Sequence, residues 1–206
     1  EAAEAGLGVY TIISGRPYNR PFNLKRTTML DSMPNWRDLL ILPLETRVLL
    51  MRDEAVRAGL RHDIDHPNTD PSKGALMRPL PWQTIYVERA KLSENKGKEG
   101  KSILELSQKQ GKHIADTLLD LALGEDLETQ FRYHLGWTEE EEDKLLATLH
   151  SPYCLPGISD AGAHLDRDDG SEFSTFYFSY WVREKRAMSL EEAIRLLTFV
   201  PASVIG

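Results

Sequence analysis

Residues 153–164 read Tyr-Cys-Leu-Pro-Gly-Ile-Ser-Asp-Ala-Gly-Ala-His, and the fold we expect follows from this stretch. Its apolar start gives way at Asp160 to a carboxylate among small residues, a pattern that predicts a buried strand ending at a site. Glycines and alanines let a ligand approach the backbone, and a rigidly held Asp suits a metal ligand or a general acid–base. The alternative is that Asp160 caps the next segment or accepts hydrogen bonds from turn amides.

The composition predicts a globular chain of one domain or a large piece of one. Its 206 residues are 41% hydrophobic, enough to bury a substantial core. A net charge of −7, with Lys and Arg scattered among the acids, argues against a nucleic-acid surface, which requires clustered positive charge. The apolar runs Leu39–Leu42 and Leu118–Leu123 are far shorter than the ~20 residues that span a bilayer, so no membrane segment is predicted.

The single cysteine and the two ends suggest the setting of the chain. Cys154 has no cysteine to pair with, which favours a reducing compartment and predicts a cytoplasmic protein with a buried, inert thiol. Glu1–Gly8 resembles the last turns of a helix, and Pro201–Gly206 stops just after another. We therefore expect a piece of a longer protein.

Three strands are expected. The β-branched run Val9–Ser14 predicts a buried strand that ends at Gly15 and presents Arg16 at its carboxyl end. Thr84–Val87 and Tyr153–Leu155 are the other two. Helical segments separate these strands and no tight hairpin joins them, so we expect parallel pairing and an α/β class. Three strands are too few to close an eight-stranded barrel.

Helix starts are marked by three Ser/Thr-x-x-Glu capping boxes, which begin at Ser102, Thr138 and Ser189. Hydrophobic spacing predicts further helices at residues 116–123 and 173–184, and the aromatic side of the latter is assigned to the core. Helical spacing over residues 34–60 predicts a helical insertion at about residues 31–80.

Three local motifs point to other activities but fit them poorly. His62–His66 has the histidine spacing of a zinc-protease helix, yet the proline that follows and the local composition predict a solvated loop. Gly97–Ser102 lacks the first glycine of a phosphate-binding loop. Gly157–Gly162 misses the G-x-S-x-G elbow by one residue, so Ser159 has no evident activation as a nucleophile.

The chain from Glu99 to its end resembles the C-terminal barrel region of the amidohydrolase superfamily. Within that superfamily it is most similar to the D-aminoacylase, or N-acyl-D-amino-acid deacylase, group. The segments that carry the resemblance are, in order, Glu99–Ser102 through Asp120-Leu121, Glu139–Leu149, Ile158–His164, Tyr180–Glu184, Ser189–Ile194 and Leu197–Ala202.

This resemblance implies a fold. Residues 1–206 would be the C-terminal portion of a distorted TIM-like (β/α)8 metallo-hydrolase barrel, helix-rich and incomplete in this chain. The N-terminal half of the barrel and the small β-sandwich domain of the family would lie outside it.

The resemblance also implies an activity, namely hydrolysis of the amide C–N bond of an N-acyl-D-amino acid or a related small molecule, with zinc or another divalent metal as cofactor. Asp160 would contact the metal and carry a proton from its bound water to the leaving amine. His164 and Ser159 would support the site without binding the metal. Arg167 would hold the substrate carboxylate, and Arg16 is a second candidate because its planar fork suits bidentate pairing.

The sequence departs from the family where the metal ligands are concerned. It contains no His-x-His pair, and Asp160 alone cannot hold zinc, which needs three or more protein ligands. We therefore expect this chain to bind no metal stably and to be inactive by itself. The alternative hypothesis is a non-catalytic α/β remnant that acts as a scaffold or binding module. Under either hypothesis, the strand edges of an unclosed barrel favour a homo-oligomer.

Overall fold

The computed structural model of the protein describes residues 5–27, 29–67, 80–159 and 170–205. The chain packs as two compact units, one formed by residues 1–19 and 135–206 and the other by residues 20–134. The expected mixed α/β, helix-rich class is confirmed. Of the helix end expected at Glu1–Gly8, residues 1–4 lie outside the described residues, and residues 5–8 contain a turn in which Gly6 has a φ of 73°. Within the described ranges, every helix is too short or too polar to be a membrane span.

The described residues contain five strands and nine α-helices. The strands are β1 (Thr11–Ile13), β2 (Tyr18–Phe22), β3 (Ile85–Arg89), β4 (Gln130–Leu135) and β5 (Cys154–Pro156). The α-helices are α1 (Pro34–Leu40), α2 (Leu44–Leu50), α3 (Glu54–Asp65), α4 (Ile103–Gln110), α5 (Ile114–Gly124), α6 (Glu139–Leu149), α7 (Phe173–Phe176), α8 (Leu190–Leu197) and α9 (Phe199–Ile205). Short 3-10 helices cover Trp82–Thr84 and Ser93–Lys98, and a π-helix, Tyr177–Glu184, continues α7.

In the unit that contains both chain ends, β1 and β5 pair in parallel, as predicted, with Thr11 opposite Cys154. Strand β5 is buried along its length. The prediction that the first strand is buried was wrong, because Thr11 and Ile12 are exposed. The physical reason is that, among the described residues, β5 is the only strand beside β1, so one edge of β1 has no neighbouring strand.

In the unit of residues 20–134, the strands have the order β2-β4-β3, and β3 runs antiparallel to β4 with Val87 opposite Phe131. The expectation of parallel pairing was wrong here, and β2 and β4 were not predicted. Two helices, α4 and α5, lie between β3 and β4. A pair of helices can return the chain to the end of the sheet at which β3 finishes, so that β4 runs in the opposite direction. The alternation in β4, where Phe131 and Tyr133 are buried, was the available signal.

The capping boxes predicted at Ser102 and Thr138 are both formed. At Ser189 only half of the box forms, because the hydroxyl accepts from the Glu192 amide while the Glu192 carboxylate binds Arg195. These contacts explain why α4, α6 and α8 begin where the sequence predicts.

Helix α3 continues through His62 to Asp65, so the solvated loop predicted at that point was wrong. Asp63 is buried and accepts hydrogen bonds from the backbone and side-chain nitrogens of Asn35, both at 2.7 Å, which fastens α3 to α1. The rings of His62 and His66 stack with centroids 4.4 Å apart. Asp63 therefore has a structural role.

The core of the unit with both chain ends is formed around the π-helix. Tyr177 and Trp181 are fully buried against α6, β5 and α8, in a cluster completed by Leu149, Cys154, Met188, Ala193 and Leu196. The assignment of this aromatic side to the core is confirmed for Tyr177 and Trp181, and Phe176 and Tyr180 are partly buried against them. Cys154 is buried, as the sequence predicts.

Candidate functional site

The parallel pairing of β1 with β5 brings the carboxyl ends of both strands to one edge. The amide of Gly157 donates a 3.0 Å hydrogen bond to the carbonyl of Ile13, so the pairing extends one residue beyond β5. Arg16 follows β1 and Ser159 follows β5, so both residues lie at this edge. Ile158, directly before Ser159, has a φ of 64°, in the left-handed region that non-glycine residues rarely adopt.

Arg16 is the cation of this edge. Its side chain is buried, and Nη1 donates to the carbonyl of Pro17 at 3.1 Å. The nearest described carboxylate, Glu172, places Oε1 3.8 Å from Nη1, and Nε has no hydrogen-bond partner. A guanidinium that is desolvated and only partly bonded retains donors for a carboxylate or another oxyanion.

Gly170 brings Ser159 and Arg16 to the same small region. A β-carbon at Gly170 would overlap the carbonyl group of Ser159 and would lie 2.9 Å from Nη2 of Arg16. Only glycine therefore fits at this position without a shift of the backbone. The two predicted site residues that the structure describes are thus neighbours.

The end of β1 is held in place by two aromatic side chains of the π-helix. The indole nitrogen of Trp181 donates a 2.7 Å hydrogen bond to the carbonyl of Gly15, and a β-carbon at Gly15 would overlap the hydroxyl of Tyr177. Burial raises the pKa of the Tyr177 phenol, which therefore stays neutral, and its hydroxyl has no hydrogen-bond partner in the described part of the chain. Burial also raises the pKa of the Cys154 thiol, which keeps it unreactive.

Asp160, His164 and Arg167 lie outside the described residues, and their predicted roles remain predictions. In sequence, Asp160 directly follows Ser159. Glu172, which the sequence did not single out, lies just beyond Gly170 and faces Arg16.

A zinc ion in a protein is held by three or more side chains. Across residues 5–27, 29–67, 80–159 and 170–205, no three His, Cys, Asp or Glu side chains lie together in a way that could hold a metal ion. The described residues therefore do not fit a zinc site, and a metal at Asp160 would need its other ligands from beyond them.

The described edge is equipped to bind an anion. It combines a buried guanidinium that has an unbonded nitrogen with a close approach of the backbone, because Gly170 lies against both Arg16 and the carbonyl of Ser159. The sequence identified Arg16 from its place after a strand and Gly15 as the end of that strand, but it indicated neither the contact of Gly15 with Tyr177 nor the position of Gly170. Their role depends on Tyr177 and Ser159, which are distant in sequence, so no local pattern could have revealed it.

Comparisons with known proteins give little similarity. No protein-family model matches the chain. No curated protein matches it either. One similar solved structure is that of N-acyl-D-glutamate deacylase from Bordetella bronchiseptica, complexed with zinc and a phosphonate inhibitor that mimics the tetrahedral intermediate of the reaction. The identity is 20% and the TM-score 0.34, over 61% of this chain and 24% of that chain. The chain thus spans about a quarter of that structure, and a likeness of this degree establishes neither a shared barrel nor a shared activity.

Proposed function

We propose that the chain is part of an amidohydrolase of the D-aminoacylase type, which hydrolyses the amide C–N bond of an N-acyl-D-amino acid. The observation that supports this proposal best is the shared edge of β1 and β5, where a buried Arg16 lies beside the segment that leads into Asp160. The resemblance of residues 99–206 to the deacylase group supplies the reaction.

Asp160 is the proposed general acid–base. Its carboxylate takes a proton from the attacking water as the oxygen bonds to the acyl carbon, and then gives that proton to the nitrogen as the C–N bond breaks. The products are a carboxylic acid and a free amino acid. His164 and Ser159 are proposed to support this site from neighbouring positions.

Arg16 is proposed to hold the carboxylate of the substrate, with Arg167 as a second candidate. Burial makes the Arg16 guanidinium a strong partner for an anion, because water competes weakly there for its donors. A bidentate pair would also fix the direction in which the acyl group points.

Zinc or another divalent metal is proposed as the cofactor of the complete protein, with its remaining ligands supplied from beyond the described residues. We accordingly propose that residues 1–206 alone are inactive and belong to a partial barrel completed by further chain. The protein is proposed to be cytoplasmic and to self-associate.

The test is deacylation by the complete gene product, loaded with zinc, on a panel of N-acetyl-D-amino acids and their L enantiomers. The Asp160→Asn variant should lower kcat by about a thousandfold, because the amide cannot shuttle the proton. The Arg16→Lys variant keeps the charge but loses the fork, and should raise KM about tenfold with little change in kcat. Arg183→Lys, at an exposed arginine, is the matched control and should change neither constant.

An unchanged kcat in Asp160→Asn would refute the assignment of Asp160. If the complete, metal-loaded protein binds N-acyl amino acids without cleaving them, the binding-module hypothesis replaces the hydrolase. A preference for L substrates would leave the reaction type intact but remove the D-aminoacylase assignment.

A further inference from the structure

Helix α2, in the unit of residues 20–134, has an inverted pattern of burial. Its only buried residue is Arg47, whose guanidinium donates to the carbonyls of Leu24 at 3.2 Å and Lys25 at 3.0 Å. Leu49 is 71% exposed and Leu44 is 41% exposed. Arg47 anchors the helix, so α2 cannot rotate to bury these leucines without breaking both hydrogen bonds of Arg47.

The exposed leucines of α2 line a cavity of about 510 Å³. Val48 and, across from α2, Leu123 and Leu127 complete its aliphatic walls. Sites for small molecules typically enclose about 300–1,000 Å³ and are mostly apolar with a few polar groups. The cavity has the size and the lining of such a site.

The opposite wall is held rigidly. Asp126 and Leu127 both have left-handed backbone, with φ of 56° and 60°. The amide of Leu127 donates a 2.7 Å hydrogen bond back to the carbonyl of Ala122, which closes the end of α5. Leu127 is 1% exposed and Leu123 8%, so these two residues form a packed floor beneath the cavity, and the open apolar surface is that of the α2 leucines.

Four charged side chains border the cavity, and two of them are already paired. Lys25 binds Glu128 at 2.7 Å, and Asp126 binds Lys91 at 2.8 Å. The side chains of Arg52 and Glu45 make no ion pair or hydrogen bond within the described ranges. Glu45 lies in the first turn of α2 and Arg52 follows its last turn, so the unpaired anion and the unpaired cation lie at opposite ends of this helix.

We propose that this cavity binds a monocarboxylate with an unbranched aliphatic tail, such as a medium-chain fatty acid. Arg52 pairs with the carboxylate through its planar fork, and the tail covers Leu44, Val48 and Leu49. A single unpaired guanidinium matches a singly charged head better than a phosphate dianion. Glu45, at the far end, repels a second carboxylate. The proposal does not depend on the chain being a hydrolase.

The experiment is calorimetric titration of the 206-residue chain with hexanoate, octanoate and decanoate below their micellar concentrations, with octanedioate as the comparison. Saturable 1:1 binding is expected, with affinity rising up to about fourfold for each methylene that is buried. Octanedioate should bind more weakly than octanoate.

Three variants locate the site. Arg52→Gln should weaken octanoate binding about tenfold, and Val48→Asp should abolish it, since each change affects the cavity directly. Arg183→Gln, at an exposed arginine of the other unit, should bind as the parent chain does. Both cavity residues are at least partly exposed, so the variants should fold, and unchanged far-ultraviolet circular dichroism checks this.

Absence of saturable binding at millimolar carboxylate overturns the proposal. So does equal affinity of the Arg52→Gln and Arg183→Gln variants, or equal affinity for octanoate and octanedioate. If Val48→Asp instead abolishes a concentration-dependent dimer that octanoate does not disperse, the cavity faces a second copy of the chain and the ligand proposal fails.

Discussion

Glu125 shows how a single buried carboxylate can organise a loop. It is 1% exposed and accepts hydrogen bonds from the amides of Lys91 and Leu92, the side-chain nitrogen of Asn95 and the hydroxyl of Thr129. Burying a charge is costly unless it is fully bonded, and here several donors compensate for the lost water. The carboxylate therefore connects the end of α5 to the segment after β3.

Replacing Glu125 by Gln should destabilise the fold and should do so in a pH-dependent way. The amide would turn a donor toward groups that also donate, at a cost of about 2–3 kcal/mol. Burial acts to raise the pKa of the Glu125 carboxyl, but the hydrogen bonds from Lys91, Thr129, Asn95 and Leu92 hold it below its ordinary value of 4.5. Because the folded-state pKa is the lower one, the stabilisation is complete above pH ~4.5 and is lost as the pH falls through the folded-state value.

Urea unfolding of the parent chain and of Glu125→Gln at several pH values measures this effect. The difference in the free energy of unfolding should be largest near neutral pH and should shrink below pH ~4.5. Glu94→Gln, at an exposed glutamate in the same segment, is the control and should show no comparable difference. A difference that stays constant down to pH 3 would mean that the ionised carboxylate is not what stabilises this loop.

Gly15 is required by Tyr177. A β-carbon at Gly15 would overlap the hydroxyl and ring of Tyr177, which is fully buried and cannot withdraw. Gly15→Ala should therefore lower stability by about 2 kcal/mol or more. Gly97→Ala is the control, because a β-carbon added at Gly97 would meet open space, with no contact within 4 Å.

Tyr177→Phe removes the hydroxyl nearest to Gly15, a group that has no hydrogen-bond partner in the described part of the chain. By itself, Tyr177→Phe should leave the free energy of unfolding nearly unchanged, because it removes an unsatisfied buried polar group. Combined with Gly15→Ala it should recover part of the loss, which thermal unfolding of the two single variants and the double variant would reveal. If the stability changes of the two single variants simply add in the double variant, the overlap between the new β-carbon and Tyr177 is relieved by a shift elsewhere in the chain.

At the scale of elements, helices were more predictable than strands. The hydroxyl–carboxylate spacing at Ser102 and Thr138 is a local signal, and both helices begin there because the hydrogen bonds involved span only three residues. The pairing of β3 with β4 joins residues more than forty positions apart, such as Ile85 and Tyr133, and no short pattern encodes it. The end of α3 was missed for the same reason, because Asp63 is stabilised by Asn35.

The contact between α3 and α5 rests on a partly buried ion-pair cluster. Asp116 accepts from both Arg57, at 3.2 Å, and Arg61, at 2.9 Å, and its side chain is 18% exposed. Asp116→Asn should cost about 2 kcal/mol, because it leaves two partly buried guanidinium groups with fewer partners. The loss should diminish at high salt, which screens the pairs in the parent chain.

Denaturant unfolding at low and high ionic strength measures that loss. Glu140→Gln is the matched control, since its pair with Lys144 lies on the exposed side of α6, with side chains 79% and 72% exposed. Surface pairs of this kind contribute little, so the control should change stability by less than about 0.5 kcal/mol. An Asp116→Asn effect no larger than the control's would show that the ion pairs of Asp116 do not stabilise the contact, which would then rest on apolar packing and on the pair between Arg57 and Asp120.

At the scale of the whole molecule, the division into two units was not predicted from the sequence. The boundaries fall after residues 19 and 134, inside β2 and at the end of β4. The first lies among Gly15, Pro17 and Pro21, which the sequence analysis took only as the end of a strand, and the second has no comparable cluster of Gly and Pro. The candidate site was partly predictable, because Arg16 and Ser159 both follow strands whose apolar composition is visible. Their proximity could not be predicted, since it depends on the pairing of β1 with β5 across more than a hundred residues.

The exposed edge of β1 leads to a prediction about assembly. Among the described residues, β1 has β5 on one side and no strand on the other, and Ile12 is 58% exposed, as is Val9 just before the strand. An unpaired apolar strand edge is a template for pairing with another chain. Sedimentation velocity should therefore show concentration-dependent self-association of the chain, and Ile12→Lys should shift it toward monomer by placing a charge on that edge.

Ile205→Lys, at a residue that is 82% exposed on α9, is the control for reduced surface hydrophobicity and should leave association unchanged. A parent chain that stays monomeric at high concentration would contradict the prediction, because the edge would then be too short or too twisted to pair.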